Sequence, residues 1–147
     1  MLVKTITEKE EEIFLKMNEK FYTSEATKRG YDEGLSKKTF NYLMSKHENL
    51  WGYFIMHDEN IIGYALITSY WCNEEGGSVI ILDELFIDNE YRHHGNGKMF
   101  LSWLEKEFKG KATSVSLEVL STNLIAKKLY TEEGLVEDDF ITLSKKI

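Results

Sequence analysis

The sequence predicts one mixed α/β domain that spans residues 1–147. Three observations support this: two amphipathic helical segments come first, a β-hairpin follows, and strands and helices then alternate to the end of the chain. With 147 residues and 42% of positions hydrophobic, the chain is long enough for one packed core and too short for two ordinary domains. It contains no proline and no low-complexity stretch, so nothing indicates a linker.

The first two helices are indicated by capping residues followed by apolar side chains at helical intervals. Thr7 and Glu10 have the spacing of a capping box, which predicts a helix from about residue 8. Ser36 is a suitable N-cap for a second helix, with Phe40 and Leu43 on its apolar face.

A β-hairpin is predicted next, because aromatic and β-branched residues flank a polar turn. The two runs extend from Trp51 to Ile67, the turn is Asp58-Glu59-Asn60, and Gly63 is a candidate bulge. A polar loop from Asn73 to Gly77 then leads to the next strand.

The second half of the chain alternates between strands and helices. We predict strands at 79–87 and 115–119, helices at 96–108 and 123–133, and a last short strand at 140–143. Glycines follow both predicted helices, as expected for C-terminal stops.

Charge and cysteine content restrict the function classes. A net charge of -7 argues against a surface devoted to nucleic acid and suits a cationic small molecule better, although soluble domains without such a ligand often share it. Cys72 is the only cysteine, so no internal disulfide is expected. Apolar runs such as 79–82 are far shorter than the roughly 20 residues of a membrane span, and no signal peptide is evident. We therefore expect a cytoplasmic protein that binds neither nucleic acid nor membrane.

A glycine-bearing turn between the strongest strand and the most amphipathic helix is the first candidate site. A helix N-terminus leaves backbone N–H groups unpaired and carries about half a positive charge, which suits a phosphate or pyrophosphate. Glycines there allow close approach of the backbone. A plain strand-to-helix turn without a ligand stays open as the alternative. The turn comprises Arg92, His93, His94, Gly95, Asn96, Gly97 and Lys98.

Two nucleotide-binding motifs and a metal site are disfavoured at this turn. A dinucleotide fingerprint requires glycine where the chain has Phe100, and a phosphate-binding P-loop requires Ser or Thr where it has Met99. His93 and His94 are adjacent, so their side chains diverge, and no third ligand is evident. We expect no metal.

The turn and the strand before it resemble a known acetyl-CoA signature. Arg92-x-x-Gly95-x-Gly97, directly after Leu85-Phe86-Ile87, resembles the signature of the GNAT superfamily of N-acetyltransferases. A second match follows at the expected distance and resembles that family's next strand and helix. It consists of Leu117-Glu118-Val119, Asn123, Ala126, Leu129-Tyr130 and Gly134.

The resemblance implies a GNAT-like fold, in which a mixed central sheet is flanked by helices and a splayed strand pair forms the acyl-CoA cleft. It also implies acetyl-CoA as co-substrate. The backbone of Phe86 and Ile87 would bind the pantetheine arm, and the amides of residues 93–98 would receive the pyrophosphate. The strand 114–119 would splay away, and Asn123 would lie beside the cofactor. Two departures concern affinity: Asn96 replaces a usually aliphatic residue, and His93 stands where glycine is frequent.

Two acids in the middle of the strand are candidates for the chemistry. An alkyl amine with a pKa near 10.4 is neutral in only about one molecule in a few thousand at pH 7, so attack on a thioester requires a base. The string from Leu82 to Ile87 is similar to that of polyamine acetyltransferases. On that likeness Asp83 is the base, directly or through a water, and Glu84 is the electrostatic partner of the amine, with the roles exchangeable. Strand alternation would place them on opposite faces unless a bulge intervenes, and solvent-facing charges are the alternative.

The resemblance places Tyr130 near the cofactor sulfur, where it would protonate the leaving thiolate; packing in the core is the alternative. The acceptor would be a small cationic amine such as a polyamine, an aminoglycoside-like molecule or a diamine. Its pocket would involve residues 20–35, with Phe21, Tyr22, Tyr31 and Trp71 as candidate lining residues and ordinary packing of each as the alternative. Acetylation of a protein N-terminus or lysine and a non-catalytic CoA-binding or regulatory module remain open. A homodimer is compatible with the resemblance.

Overall fold

One mixed sheet organises the chain, and the computed structural model describes residues 1–147. The strands are β1 (Leu2–Thr5), β2 (Leu50–His57), β3 (Asn60–Cys72), β4 (Gly77–Ile87) and β5 (Ser114–Ser116). The helices are α1 (Glu11–Tyr22), α2 (Glu33–Met44), α3 (Asn96–Phe108) and α4 (Leu124–Glu132), and short 3₁₀ turns occupy Glu8–Glu10 and Asn89–Tyr91. None of the helices combines the length and apolar character that crossing a membrane requires.

The strands lie in the order β1-β2-β3-β4-β5. Strands β1 to β4 pair antiparallel, whereas β4 and β5 pair parallel through the connection that contains α3. A parallel pair needs such a crossover, since a tight hairpin reverses the chain. The predicted mixed α/β domain is confirmed.

Helices cover both faces of the sheet and bury two apolar cores. On one face, α1 and α2 contribute Phe14, Met17, Phe21 and Phe40 to a core that includes Tyr64 and Phe86 from the sheet. On the other face, α3 packs Phe100, Leu101, Leu104 and Phe108 against Ile55, Ile67, Ile80 and Leu82. We call the first the α1 core and the second the α3 core, and Leu129 and Tyr130 of α4 pack against the α3 core.

Several predicted elements and their ends are observed. The capping box at Thr7 and Glu10 forms, and α1 follows a single 3₁₀ turn. The predicted bounds of α3 are those of the structure, and α4 ends shortly before Gly134, which has a φ of 89°. The bulge in β3 falls at Ile62, which has no partner on β2, and not at Gly63 as predicted. Gly63 is instead required by close packing, because a Cβ there would collide with the Phe86 carbonyl of β4.

The structure adds one element and corrects three further predictions. Strand β1 was not predicted, since four residues at a sheet edge give little periodic signal. The second helix begins earlier, because Asp32 is its N-cap and accepts the Leu35 N–H at 3.0 Å, whereas Ser36 is buried one turn inside. Strand β5 covers only three residues. Residues 140–143 form no strand, since β5 ends the sheet and nothing pairs with its outer edge.

Candidate functional site

A cleft opens where β4 and β5 part. Their parallel pairing runs from Val79 and Ser114 to Ile81 and Ser116 and then stops, while β4 continues to Ile87. The edge of β4 from residue 82 onwards therefore has no strand beside it. This confirms the predicted splayed pair.

The cleft has a volume of about 1400 Å³ and an acidic lining. Its walls come from the end of α1, the connection between α1 and α2, the middle of β4, residues 114–121, α4 and the segment after α4. Eight carboxylates and four cationic side chains line it. Such a surface favours a cationic ligand over an anionic one.

A β-bulge in β4 places both predicted acids on the same wall. Leu66 pairs with Glu84 and Ile67 pairs with Leu82, which leaves Asp83 without a partner on β3. An extra residue of this kind shifts the alternation of side chains between the two faces of a strand. As a result, Leu82 and Leu85 both face the α3 core, while Asp83 and Glu84 both line the cleft.

Asp83 faces Glu118 across the gap between the strands. Ile81 pairs with Ser116, and Asp83 and Glu118 each lie two residues further on, so they share a face. Part of Asp83 reaches solvent in the cleft, and it forms no hydrogen bond within the chain. Partial burial raises the pKa of the Asp83 carboxyl, and the negative charge of Glu118 raises that pKa further. An oxygen of Glu118 is also 3.4 Å from the hydroxyl of Thr142.

Glu84 is held by three donors and is only 6% exposed. The Tyr22 hydroxyl donates to Oε1 at 2.6 Å, and the Tyr64 hydroxyl and Asn18 Nδ2 donate to Oε2 at 2.6 and 3.0 Å. Ser36 completes this buried network by donating to Asn18 Oδ1. Burial raises the pKa of the Glu84 carboxyl, although the bonds from the two tyrosines act in the opposite direction.

Tyr130 projects from α4 into the same cleft. Burial raises its pKa to about 12, with no hydrogen bond or nearby charge contributing. The hydroxyl is therefore protonated at neutral pH and is not engaged within the chain. Its ring packs against the α3 core, so the predicted core contact and the placement in the cleft occur together.

The glycine-bearing turn precedes α3 and has a special backbone. His93 and Gly95 have left-handed φ values of 64° and 78°, and Gly95 is the N-cap of α3. The space at the Cβ position of Gly95 is open, whereas a Cβ on Gly97 would come within 2.8 Å of Leu129. Gly95 thus leaves room for a group at the helix N-terminus, and Gly97 allows α3 and α4 to approach.

The side chains of the turn are mostly engaged by the protein. Arg92 Nε donates to the Ile87 carbonyl at 2.8 Å, and its guanidinium lies 5.5 Å from the centre of the Phe86 ring. Asn96 Nδ2 donates to the Tyr91 carbonyl at 2.8 Å, and Lys98 pairs with Glu133 at 2.8 Å. Only the imidazoles of residues 93 and 94 stay free, and both are exposed. An anion at this turn would therefore have the backbone N–H groups at the start of α3 and these two imidazoles available to it.

The remaining predicted cofactor residues lie at the ends of β4 and α4. The Phe86 carbonyl points towards Gly63 of β3, and its side chain belongs to the α1 core. The Ile87 carbonyl faces the opposite edge, where Arg92 binds it. Asn123 caps α4, with Oδ1 3.2 Å from the Ala126 nitrogen. No cluster of three His, Cys, Asp or Glu side chains forms a metal site.

Three residues of the site were not predicted from sequence: Asn18, Tyr64 and Glu118. Asn18 and Tyr64 are far apart in the chain, and no local pattern connects them to Glu84. Glu118 did carry a signal, because Leu117 and Val119 alternate with it and therefore place it on the opposite face of the strand.

Comparison with known proteins identifies the family. The model of the acetyltransferase (GNAT) family matches residues 12–135. A possible acetyltransferase from Clostridium difficile 630 has a TM-score of 0.85 at 15% identity, with 99% of this chain and 97% of that chain covered. No curated protein matches in sequence.

Two further structures share the fold. The aminoglycoside acetyltransferase AAC(6')-Iy, in complex with a CoA bisubstrate analogue of neamine, has a TM-score of 0.82 at 14% identity, with coverage of 99% and 97%. A ribosomal-protein-alanine N-acetyltransferase from Brucella melitensis biovar Abortus 2308 has a TM-score of 0.78 at 14% identity, with coverage of 99% and 98%. These likenesses show the fold, and the family match, which spans most of the sequence, shows that this chain belongs to the GNAT family of acetyltransferases.

Proposed function

We propose that the protein transfers an acetyl group from acetyl-CoA to a primary amine of a small cationic acceptor, by direct attack within a ternary complex. The observation that carries the proposal is the bulge at Asp83. The bulge orients the carboxylate of Asp83, which has no partner on β3, towards an acidic cleft. Tyr130 lines the same cleft, beside the open edge of β4. The family supplies acetyl transfer as the reaction class.

Acetyl-CoA would bind along the turn and the free edge of β4. The open space at Gly95 and the N-terminus of α3 fit a pyrophosphate, received by the amides of residues 93–98. The backbone of Phe86 and Ile87 remains our proposed contact for the pantetheine arm, and Asn123 remains a proposed neighbour of the cofactor. Arg92 would act by fixing the end of β4, since its Nε is bound to the Ile87 carbonyl.

Asp83 is the proposed base. It accepts a proton from the acceptor ammonium, and the raised pKa of its carboxyl makes it a better base than an ordinary aspartate. Glu118 holds the cation from the other strand. Glu84 contributes negative charge from its buried position beside the cleft. Because three donors bind its carboxylate, we assign the role of base to Asp83 and not to Glu84.

Tyr130 is the proposed acid. The amine nitrogen attacks the thioester carbon, and as the carbon–sulfur bond breaks Tyr130 donates its hydroxyl proton to the departing sulfur. The proton that the new amide nitrogen loses then restores the tyrosine. With a tyrosine pKa of about 12 and an ordinary thiol near 8.5, a separate proton transfer would be uphill by about 5 kcal/mol. Tyr130 must therefore deliver its proton as the carbon–sulfur bond breaks, in a site where burial also makes the thiolate more basic.

The test is a thiol-release assay with acetyl-CoA and a panel of acceptors: spermidine, neamine, 1,4-diaminobutane, a free N-terminal peptide and a lysine peptide. We expect the highest kcat/KM with one of the three small amines, and a large loss in Asp83→Asn and Tyr130→Phe. Turnover with peptides alone would replace the proposal with protein acetylation. Acetyl-CoA binding without any acceptor-dependent thiol release would indicate a CoA-binding module.

A further inference from the structure

The hydroxyl of Tyr22 lies on the wall of the cleft with its hydrogen already committed. Tyr22 is the last residue of α1 and is half-buried. Its hydroxyl donates to Glu84 Oε1 at 2.6 Å, which is its only hydrogen bond within the chain. A phenol has one hydrogen to donate and two lone pairs that accept. Once the hydrogen is used, the group can only accept.

The buried network determines the direction of that bond. An ionised Glu84 can only accept, so the amide of Asn18 directs its N–H₂ group towards Glu84 and Tyr64, and its Oδ1 accepts from Ser36. Three donors then converge on the Glu84 carboxyl from Tyr22, Tyr64 and Asn18. An ionised carboxylate accepts all three, whereas a carboxyl protonated on Oε1 would itself donate to Tyr22 and leave the Tyr22 hydrogen free. With Glu84 ionised, Tyr22 must be a donor to it.

The hydroxyl oxygen of Tyr22, with its free lone pair, lies in the part of the cleft that also contains the Asp83 carboxylate. Asp83 lines the same cleft, close enough for its charge to raise the pKa of Tyr22. Arg29, from the connection between α1 and α2, also acts on Tyr22 through its charge but forms no hydrogen bond with it. The lone pair is thus available to a ligand.

We propose that Tyr22 is a specificity-determining residue that accepts a hydrogen bond from the acceptor's ammonium, while Glu84 and its partners hold it in the accepting orientation. This inference rests on the proposed acetyl transfer to an amine and names a contact that selects the substrate. A group rich in N–H donors gains a bond at Tyr22. A carboxylate or carbonyl at that place meets only lone pairs and is rejected.

The first test is Tyr22→Phe, assayed with spermidine or neamine, whichever is the faster acceptor for the unmodified protein. A hydrogen bond to a charged group corresponds to a loss of about 10- to 100-fold in binding. We expect KM for the amine to rise by that factor, with kcat within about threefold and KM for acetyl-CoA unchanged. Tyr53→Phe is the matched control, since Tyr53 is a buried residue on the α3 face whose hydroxyl forms no hydrogen bond within the chain.

The second test is Glu84→Gln, which reverses the bond. The new amide can donate to Tyr22, and the Tyr22 hydrogen then turns towards the cleft. We expect KM for the amine to rise, and we expect the same substitution to have much less effect in the Tyr22→Phe background. If Glu84 acted on the amine through its charge alone, the KM increase in the double variant would equal the product of the increases in Glu84→Gln and Tyr22→Phe.

The outcomes separate the inference from the proposed function. If the unmodified protein acetylates amines and Tyr22→Phe leaves KM for the amine unchanged, the role of Tyr22 is overturned and the proposed function stands. A rise in KM that Tyr53→Phe reproduces also overturns it, since the cause is then general loosening. If the unmodified protein binds acetyl-CoA and acetylates no amine, both proposals fail together.

Discussion

Replacing Tyr64 with phenylalanine removes one oxygen from the buried network, and the cost can be worked from the contacts. Tyr64 is fully buried, donates to Glu84 at 2.6 Å and accepts from Asn18 at 2.9 Å. A bond to a charged group contributes about 1.5 to 3 kcal/mol and a neutral one about 0.5 to 1.5 kcal/mol. We therefore expect Tyr64→Phe to lower the free energy of unfolding by about 2 to 4 kcal/mol at neutral pH.

The loss should depend on pH in a defined direction. Burial raises the pKa of Glu84 in the folded state, and the bond from Tyr64 opposes that rise. Removing the bond raises the folded pKa further. The folded state then binds the Glu84 proton more tightly than the unfolded chain, so its stability falls as pH rises towards the raised pKa. The loss of unfolding free energy in Tyr64→Phe is therefore complete above the folded pKa of Glu84 in the variant. It decreases as pH falls through that pKa.

Urea denaturation followed by circular dichroism at several pH values measures this deficit. Tyr53→Phe is again the control, and we expect it to change stability by less than about 0.5 kcal/mol, since its hydroxyl has no partner to leave unsatisfied. Equal and small losses in both variants, or a Tyr64→Phe deficit that grows on acidification, would refute the network as the anchor of Glu84.

Three further predictions concern the cleft and the turn. Tyr130→Phe should lower kcat by about 10²- to 10⁴-fold with KM for acetyl-CoA nearly unchanged, and a kcat within a few fold would reduce Tyr130 to a packing residue. Glu118→Gln removes a charge that raises the pKa of Asp83, so the acidic limb of a kcat/KM profile should move to lower pH; an unmoved limb would mean that the two carboxylates do not interact. His93→Gly relieves a left-handed φ of 64°, so the melting temperature should rise by about 2 to 4 °C in a thermal scan, and a fall would reveal a stabilising imidazole contact.

Elements with strong local signals could be predicted from the sequence, and short or long-range features could not. The bounds of α3 followed from its apolar periodicity and from the glycines beside it. The prediction of a strand at 140–143 was wrong. Alternation of apolar and polar residues indicates only that a segment can form a strand, whereas pairing also requires a free strand edge beside it in space. Residues 140, 141 and 143 are instead 85%, 85% and 91% exposed.

The candidate site shows the same limit. Family resemblance singled out Asp83, Glu84 and Tyr130, but regular alternation would have put the two acids on opposite faces, and only the bulge in the structure brings all three to one cleft. The resemblance could not divide the work between the two acids, because that depends on which of them meets Asn18 and Tyr64. Asn18 and Tyr64 lie 66 and 20 positions before Glu84 in the sequence. No local sequence pattern indicates contacts over such separations.

The bulge and the splayed strands can be understood as one feature with two consequences. Pairing with β5 ends at Ile81, and the extra residue in β4 follows at Asp83. Without that residue, regular alternation would direct one of the two adjacent acids into the apolar α3 core, where an unpaired carboxylate is strongly unfavourable. With it, Leu82 and Leu85 both reach that core. The acids then differ in their surroundings. Glu84 is buried among three donors, one of which is Tyr22, and Asp83 remains without a hydrogen bond in the cleft, where we propose that it takes a proton from the amine.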